Sequence, residues 1–169
     1  MQIIKYFMLF CILIASSLIG KFLAKKYVYR LEELEEIENI LNIIKNKIKF
    51  TYEPIPEIFE EISENSSKNI GNIFKNAKEK MNEKSVSQAW EEAMEESENN
   101  LKKEDKKVLK TMSKLLGLTD VDGQISQIEI TERFLQDNIE TAKREKQSNE
   151  RLYTRLGTIM GLAIVIVLF

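Results

Sequence analysis

The sequence predicts an all-α fold, a compact bundle of about six helices set between an N-terminal and a C-terminal membrane helix, with long first and last helices. Only 2 Pro and 6 Gly occur in 169 residues, whereas Glu, Lys, Leu and Ile are abundant, and this composition favours helices over strands. Apolar residues recur at helical spacing through the middle of the chain. Both ends are themselves apolar, which leaves room for one soluble domain of about 100 to 120 residues.

The two apolar ends set the expected domain boundaries. We expect an N-terminal membrane anchor at 1–24, a soluble cytoplasmic helical domain at 25–155 and a C-terminal membrane helix at 156–169. The first segment is just long enough to cross a bilayer, whereas a helix over the last segment covers only about 21 Å. A secretory signal peptide is the alternative interpretation of the first segment, but the basic residues directly after it oppose export of the middle of the chain.

The net charge of −2 hides an uneven distribution. Residues 31–142 hold 25 acidic and 15 basic side chains, a local balance of −10, which argues against nucleic acid as a partner. Basic residues gather beside both apolar ends, at Lys21, Lys25, Lys26 and Arg30 and again at Lys143, Arg144, Lys146, Arg151 and Arg155. Positive charge next to membrane segments predicts that both necks face the cytoplasm.

The inventory of reactive side chains is small. There is no histidine, and the only cysteine, Cys11, lies inside the first apolar run. The sequence therefore lacks the residues that a zinc site, a Cys/His nucleophile or a disulfide framework requires. Pairs of carboxylates occur throughout the sequence, but none accompanies a Gly-rich loop or a nucleophile motif. We expect no catalytic residue, no metal and no cofactor.

The first soluble helix is predicted from an apolar stripe at spacings of three and four residues. The stripe consists of Leu31, Leu34, Ile37, Leu41, Ile44 and Ile48. Since Lys25 to Arg30 contains neither Gly nor Pro, this helix should continue the membrane helix without a break. Pro54 and Pro56 must end it, because each removes a backbone donor. A coiled coil is the alternative, but fewer than three clean heptads favour a bundle helix.

Three shorter helices with apolar faces should come next. The predicted faces are Ile55, Ile58, Phe59 and Ile62, then Ile70, Ile73, Phe74, Ala77 and Met81, then Val86, Ala89, Trp90, Ala93 and Met94. Ser85 with Gln88 three residues later is a capping-box signature for the third helix. Trp90 stands between two alanines at helical spacing, which is typical of a core residue. A partner-anchoring role for Trp90 is the alternative.

Glutamates cover the solvent side of the Trp90 helix. Glu91, Glu92, Glu95 and Glu96 are candidate partner-binding residues, because a dense acidic face can dock a basic surface. An ordinary solvated face is the alternative interpretation. The run contains no interleaved Gly or Asn, so it lacks the geometry of a calcium loop.

A sharp corner between two helices is predicted at residues 117–120. The helix before it is defined by Leu101, Val108, Leu109, Met112, Leu115 and Leu116. Gly117 should take the left-handed conformation that stops this helix, with Leu118 in the accompanying hydrophobic contact. Thr119 offers an N-cap to the next helix, ahead of Asp120, and Asp122 complements the free amides of its first turn.

The last helix should run from this corner into the membrane. Its core stripe is Val121, Ile125, Ile128, Leu135, Ile139 and Ala142, with Gln124 on the same side. Residues 143–151 are polar at every position, and we interpret them as a solvated neck at the membrane surface. Beyond the neck, Gly157 and Gly161 form a small-xxx-small pattern that suits close contact between membrane helices.

With these features in place, the chain resembles the stage III sporulation protein AB family of endospore-forming bacteria over essentially its whole length. The resemblance rests on Tyr52-Glu53-Pro54, Ala89-Trp90, Leu116-Gly117-Leu118-Thr119-Asp120 with Gln124 after it, and the ending 156–165. Two positions depart from the family pattern: Thr119 stands where the family often has Ser, and Thr158 interrupts an otherwise aliphatic tail.

The resemblance implies a non-enzymatic membrane platform in the channel complex that links mother cell and forespore. It implies a place in the mother-cell membrane facing the forespore, and a fold similar to the cytoplasmic domain of the type II secretion and type IV pilus platform protein. The implied partners are the cytoplasmic secretion-type ATPase of the same operon and other sporulation channel subunits. Membrane lipid and self-association are further expected contacts. The residues alone leave open a generic membrane-tethered helical adaptor or a coiled-coil spacer.

Overall fold

Six α-helices make up the part of the chain described by a computed structural model, residues 2–168 without the side chains of Gln2, Ile3 and Lys5. The helices are α1 Gln2–Asn46, α2 Ile55–Asn65, α3 Lys68–Lys80, α4 Val86–Glu96, α5 Lys103–Met112 and α6 Val121–Leu168. A π-helical turn, Lys47–Thr51, continues α1. No strand occurs within residues 2–168, so the all-α prediction with long first and last helices is confirmed.

The contacts divide the chain into two units. The terminal unit comprises Met1–Leu31 with Thr141–Phe169, and the central unit comprises Glu32–Glu140. The expected boundaries near residues 25 and 155 concern the membrane surface, which is a different division, and they stay predictions. Phe169, at the end of the expected C-terminal membrane helix, lies outside the described residues.

The core of the central unit is built on the apolar stripe of α1. Every member of this stripe inside the central unit, from Leu34 to Ile48, is at most 4% exposed. The predicted faces of α2, α3 and α4 are also buried, except that Met81 and Val86 are half-buried. Because its apolar stripe is covered by the other helices of the same unit, α1 has no bare seam there for a coiled-coil partner.

Three aromatic rings form the centre of this core. The ring centroids of Phe59 and Phe74 lie 4.9 Å apart, and Trp90 lies 5.5 Å from Phe59 and 4.9 Å from Phe74. The indole Nε1 of Trp90 donates a hydrogen bond of 3.0 Å to the carbonyl of Leu109, so its polar atom is satisfied inside the core. Trp90 thus joins α2, α3 and α4 to α5.

Helix α5 ends earlier than the apolar pattern suggests. The expected helix extends to Leu116, but α5 ends at Met112 and Leu115 is 38% exposed. The hydroxyl of Ser113 donates to the carbonyl of Lys110 at 3.1 Å. A serine that bonds back to the chain in this way offers the backbone an alternative to further helix, which accounts for the early end.

Helix α6 runs without interruption from Val121 to Leu168, as predicted. Four members of its core stripe are fully buried, namely Ile128, Leu135, Ile139 and Ala142. Thr131 occupies the gap in this stripe and is completely buried. Its hydroxyl donates to the carbonyl of Gln127 at 2.9 Å, which satisfies the polar group locally.

In the terminal unit, the two ends of the chain pack as antiparallel helices. A Cβ added to Gly20 would lie 3.1 Å from the Cα of Gly157 and would overlap the carbonyl oxygen of Tyr153. The hydroxyl of Ser16 donates to the carbonyl of Gly157 at 2.6 Å. By length and composition, two helices could span a membrane, in the segments Tyr6–Thr51 and Val121–Leu168. Small residues therefore let the backbones of the two candidate spans approach closely.

Replacing the central indole should destabilise the fold strongly. We expect Trp90→Ala to lower the free energy of unfolding by about 3–5 kcal/mol, since it leaves a cavity between the other two rings. Phe134→Ala is the matched control, because Phe134 is 56% exposed, and its effect should stay within about 0.5 kcal/mol. Urea denaturation of the detergent-solubilised chain, followed by circular dichroism, measures both values. Equal effects would contradict the aromatic centre.

Candidate functional site

The candidate site is a cavity of about 240 Å³ at the corner between α5 and α6. It is lined by Ile48, Tyr52, Glu53, Pro54, Ile55, Gly117, Val121 and Gln124. These residues come from two stretches far apart in the sequence, the end of α1 with the start of α2, and the corner with the start of α6. The fold brings both stretches to one place on the central unit.

The first wall of the cavity is shaped by the end of α1. The backbone amide of Tyr52 donates to the carbonyl of Lys47 at 3.0 Å. The backbone of Tyr52 adopts the left-handed conformation, with φ 56°. This conformation is uncommon for a residue with a Cβ, so it is held by its surroundings. Pro54 then caps α2 in an extended conformation. The reversal turns the chain away from α1 and leaves the Tyr52 side chain 74% exposed.

The second wall is the corner at Gly117, which has a φ of 72°, the left-handed conformation expected from the sequence. The side chain of Gln124 fixes this corner. Its Oε1 accepts from the amide of Gly117 at 3.0 Å, and its Nε2 donates to the carbonyl of Thr119 at 2.9 Å. Gln124 thereby satisfies two backbone groups that the turn leaves without helical partners.

Two details of the predicted corner are wrong. Asp120, and not Thr119, is the N-cap of α6: its Oδ1 accepts from the amide of Gly123 at 3.0 Å. A carboxylate at this position satisfies a free amide and also complements the helix dipole, which a hydroxyl does less well. Leu118 makes no burying contact, since it is 71% exposed. The residue that follows Gly117 consequently carries an apolar side chain in solvent.

Exposed apolar side chains occur in both stretches that form the cavity. Phe50 is 67% exposed and Tyr52 is 74% exposed in the first stretch, while Leu118 is 71% exposed in the second. Large apolar side chains in solvent around a concave surface are typical of a protein interaction site.

The four candidate partner-binding glutamates lie on α4, and most of them are already engaged. Glu92 pairs with Lys80 and Lys84, Glu96 pairs with Lys80, and Glu95 pairs with Lys110 at 2.7 Å. Glu91 is the remaining member and is half-buried. These ion pairs join α4 to its neighbours on either side. The acidic face therefore has less charge to offer a partner than the sequence suggests.

These ion pairs lower the pKa values of two of the glutamates. The Lys84 ammonium holds the pKa of Glu92 below its ordinary value of 4.5, although desolvation opposes it. The Lys110 ammonium lowers the pKa of Glu95 in the same way. Both glutamates are thus favoured in their charged form by the fold.

A buried carboxylate that the sequence pattern does not single out joins three parts of the central unit. Glu33 is 5% exposed. Its Oε1 accepts from the side-chain amides of Asn69 at 2.8 Å and Asn100 at 2.7 Å, and its Oε2 accepts from the backbone amide of Asn100 at 2.7 Å. These bonds tie α1 to α3 and to the segment between α4 and α5. The sequence signal for this buried carboxylate was the position of an acidic residue between Leu31 and Leu34, which belong to the apolar stripe of α1.

The glycine pair predicted for membrane helix contact lies in the terminal unit. Gly157 packs against Gly20, and a Cβ on Gly161 would lie 3.0 Å from the Cβ of Ser16. The sequence carried a second signal of this contact, since Ser16, Gly20 and Ala24 succeed each other at intervals of four residues on α1. Arg30, which is 4% exposed, pairs with Glu145 at 2.7 Å further along the same two helices. Within residues 2–168, no group of three or more His, Cys, Asp or Glu side chains is placed to hold a metal.

Comparison with known proteins identifies the family. The family model described as stage III sporulation protein AB matches residues 5–169. This chain belongs to the stage III sporulation protein AB family. A solved structure described as stage III sporulation protein AB is 18% identical and has a TM-score of 0.63, covering 70% of this chain and 96% of that chain. At that identity the likeness concerns the fold. No curated protein matches.

Two of the stretches on which the family resemblance rests lie at the corner cavity. Tyr52-Glu53-Pro54 and the corner at Gly117, which carry the resemblance in the sequence, are the two stretches that line the cavity. Ala89-Trp90, a third such feature, lies in the core instead. The stretches that carry the resemblance in this sequence therefore lie partly in the core and partly at one surface.

The left-handed corner gives a direct test. Gly117→Ala should lower the free energy of unfolding by about 1–2 kcal/mol, because a Cβ is disfavoured in this conformation. Gly117→Asn is the matched control and should cost less, since Asn tolerates the left-handed region. Space does not limit either variant, as a Cβ at this position would lie 3.7 Å from its nearest neighbour, Val86. Urea denaturation of the full chain checks the order, and an Ala variant as stable as wild type would contradict it.

The ion pairs of α4 predict a loss of stability in acid. Folding lowers the pKa values of Glu92 and Glu95 below their ordinary value of 4.5. Their contribution to the free energy of unfolding is therefore fully present above pH 4.5 and is lost as the pH falls below it. The double variant Glu92→Gln with Glu95→Gln should therefore lose less stability than wild type on acidification. Unfolding free energies at pH 7 and at lower pH measure the difference.

Glu98→Gln is the control for this acid titration. Glu98 lies beside the same helix but makes no ion pair among the described residues. Its removal should leave the pH dependence close to that of wild type. If the unfolding free energy of the double variant falls as steeply with pH as that of wild type, the α4 ion pairs do not contribute to the loss of stability in acid.

Proposed function

We propose that this chain is a non-enzymatic platform component of the channel complex between mother cell and forespore during endospore formation. Its two terminal helices anchor it in the mother-cell membrane that faces the forespore, and its central unit lies in the cytoplasm. There it docks the secretion-type ATPase of the same operon and other subunits of the complex. Membership of the sporulation family, the two candidate spans and the basic residues beside them support this proposal.

The observation that carries the docking proposal is the convergence on one cavity of two stretches that carry the family resemblance, each of which also has exposed apolar side chains. Phe50, Tyr52 and Leu118 present apolar area that burial against a partner would remove from water. A protein surface with an apolar centre and a polar surround is the usual anatomy of a specific interface. We therefore place ATPase docking at the corner cavity.

The α4 glutamates take a secondary role in this proposal. Because Glu92, Glu95 and Glu96 already neutralise lysines of the same unit, a basic partner would have to compete with those lysines. Charges at the rim of an interface mainly influence the rate of association. The acidic face accordingly steers the partner, and the apolar corner holds it.

The generic adaptor or coiled-coil spacer is the competing function. A spacer needs an apolar seam that is free to meet another helix. The stripe of α1 from Leu34 to Ile48 is instead covered by the central unit. This burial favours a globular docking platform.

Two substitutions at the corner test the proposal. The double variant Phe50→Ser with Leu118→Ser removes exposed apolar area and should leave the unfolding free energy within about 0.5 kcal/mol per substitution. It should abolish capture of the purified ATPase by the full chain and should also abolish complementation of a sporulation-defective deletion strain.

The control for the corner is Phe134→Ser. Phe134 is 56% exposed on α6 and lies outside the two stretches that form the cavity, residues 48–55 and 117–124, whereas Phe50 and Leu118 lie within them. It should bind the ATPase and support sporulation like wild type. If the corner variant still binds and sporulates normally, the cavity is not the docking site. If Phe134→Ser fails as well, general exposure of apolar surface, and not the corner, controls binding.

A further inference from the structure

A stripe of lysines covers one face of α5. Lys103, Lys106, Lys107 and Lys110 lie at helical spacing and line a cavity of about 450 Å³ together with Leu101 and Glu95. Six of the 15 basic residues of the central unit fall within residues 102–114, whereas the unit as a whole has an excess of acid. This concentration of positive charge is an exception on an acidic surface.

The lysine stripe is the last member of an alternating series. Glutamates of α2 face lysines of α3, shown by the pair between Glu60 and Lys78 at 2.9 Å. Lys80 of α3 in turn pairs with Glu96 of α4 at 2.9 Å. Glu95 of α4 then pairs with Lys110 of α5 at 2.7 Å. Each charged helix face thus meets a face of opposite sign, until α5 is reached.

At the outer side of α5 the alternation stops. Lys103 and Lys107 are exposed and form no ion pair with any residue that the structure describes. A further acidic helix placed against them would continue the series. The surface therefore has the charge and the position of a docking face for an acidic helix.

The chain itself carries such an acidic helix. Glu57, Glu60, Glu61 and Glu64 lie on α2 at intervals of three, one and three residues, and all four are exposed. Lys103, Lys106, Lys107 and Lys110 repeat the same intervals on α5. Each stripe is about 10.5 Å long at the helical rise. The two helices are also of similar length, 11 residues for α2 and 10 for α5.

We propose that the lysine stripe of α5 docks the glutamate stripe of α2 from a second copy of this chain. Within one copy each stripe keeps two members in internal ion pairs, Glu60 and Glu61 on α2 and Lys106 and Lys110 on α5. Glu57 and Glu64 on α2 and Lys103 and Lys107 on α5 form no ion pair among the described residues of one copy, so their charges are available for the contact between copies.

This contact joins different surfaces of the two copies. Such a head-to-tail interface repeats from copy to copy, and it closes into a ring or continues as a row. Exposed ion pairs each contribute little to binding, so the association is weak in dilute solution. The corner cavity belongs to neither stripe, so this contact between copies does not depend on ATPase docking.

A charge swap in the full chain tests the proposal. One variant carries Lys103→Glu and Lys107→Glu, and the other carries Glu57→Lys and Glu64→Lys. Each variant alone brings like charges together, so each should lose the dimers and larger species that wild type forms. An equal mixture of the two restores opposite charges at every contact and should recover association. Analytical ultracentrifugation in detergent micelles at about 0.1 M salt measures the species, and at about 1 M salt screening should abolish them.

The control is Lys68→Glu with Lys75→Glu, which makes the same change of charge at exposed positions of α3. It should associate like wild type, and circular dichroism should show all variants folded. Wild type that stays monomeric at high concentration and low salt overturns the proposal. A mixture that fails to recover association, or a lysine variant that associates like wild type, overturns it too. Association of the control variant at wild-type level, with loss only in the two stripe variants, supports it.

Discussion

The burial of the apolar stripe of α1 is the interaction on which the central unit depends. From Leu34 to Ile48 this stripe is nearly inaccessible to water, and burying each such side chain contributes about 1.5–3 kcal/mol. Three aromatic rings from α2, α3 and α4 pack together at the centre of the same core. Glu33 lies on α1 and orients the covering segments, because its carboxylate has hydrogen bonds to two asparagines that a misplaced segment would leave unmade.

The surface of the central unit results from the same packing. Helices in contact bring their solvent edges together, and charges of opposite sign on adjacent edges form pairs. This is why the α4 glutamates, which look like one acidic patch along the sequence, are divided between lysines on both sides. The corner behaves differently, because Gly117 and Tyr52 reverse the chain there and leave apolar side chains outside the core.

The fold class was accessible from the sequence because it depends on local patterns. Apolar residues at spacings of three and four, two prolines after α1 and the cap at Ser85 each act within a few residues, and the structure agrees with them. The corner was predicted at Gly117 for the same reason, since only its left-handed conformation was needed. Its details were less accessible: Asp120 replaces Thr119 as the cap, and Leu118 points into solvent. The spacing of residues along the chain determines neither which residue caps α6 nor whether Leu118 is buried.

By itself, the sequence determined six helices, their buried faces, two apolar ends and a family resemblance, because periodicity and composition are properties of neighbouring residues. Only the tertiary structure decided that Tyr52 and Gly117 share a cavity, that Glu33 is buried among asparagines, and that Gly20 meets Gly157. These pairs are separated by tens of residues or more along the chain. Their contact depends on how helices pack, and a pattern read along one helix contains no information about which helix covers it.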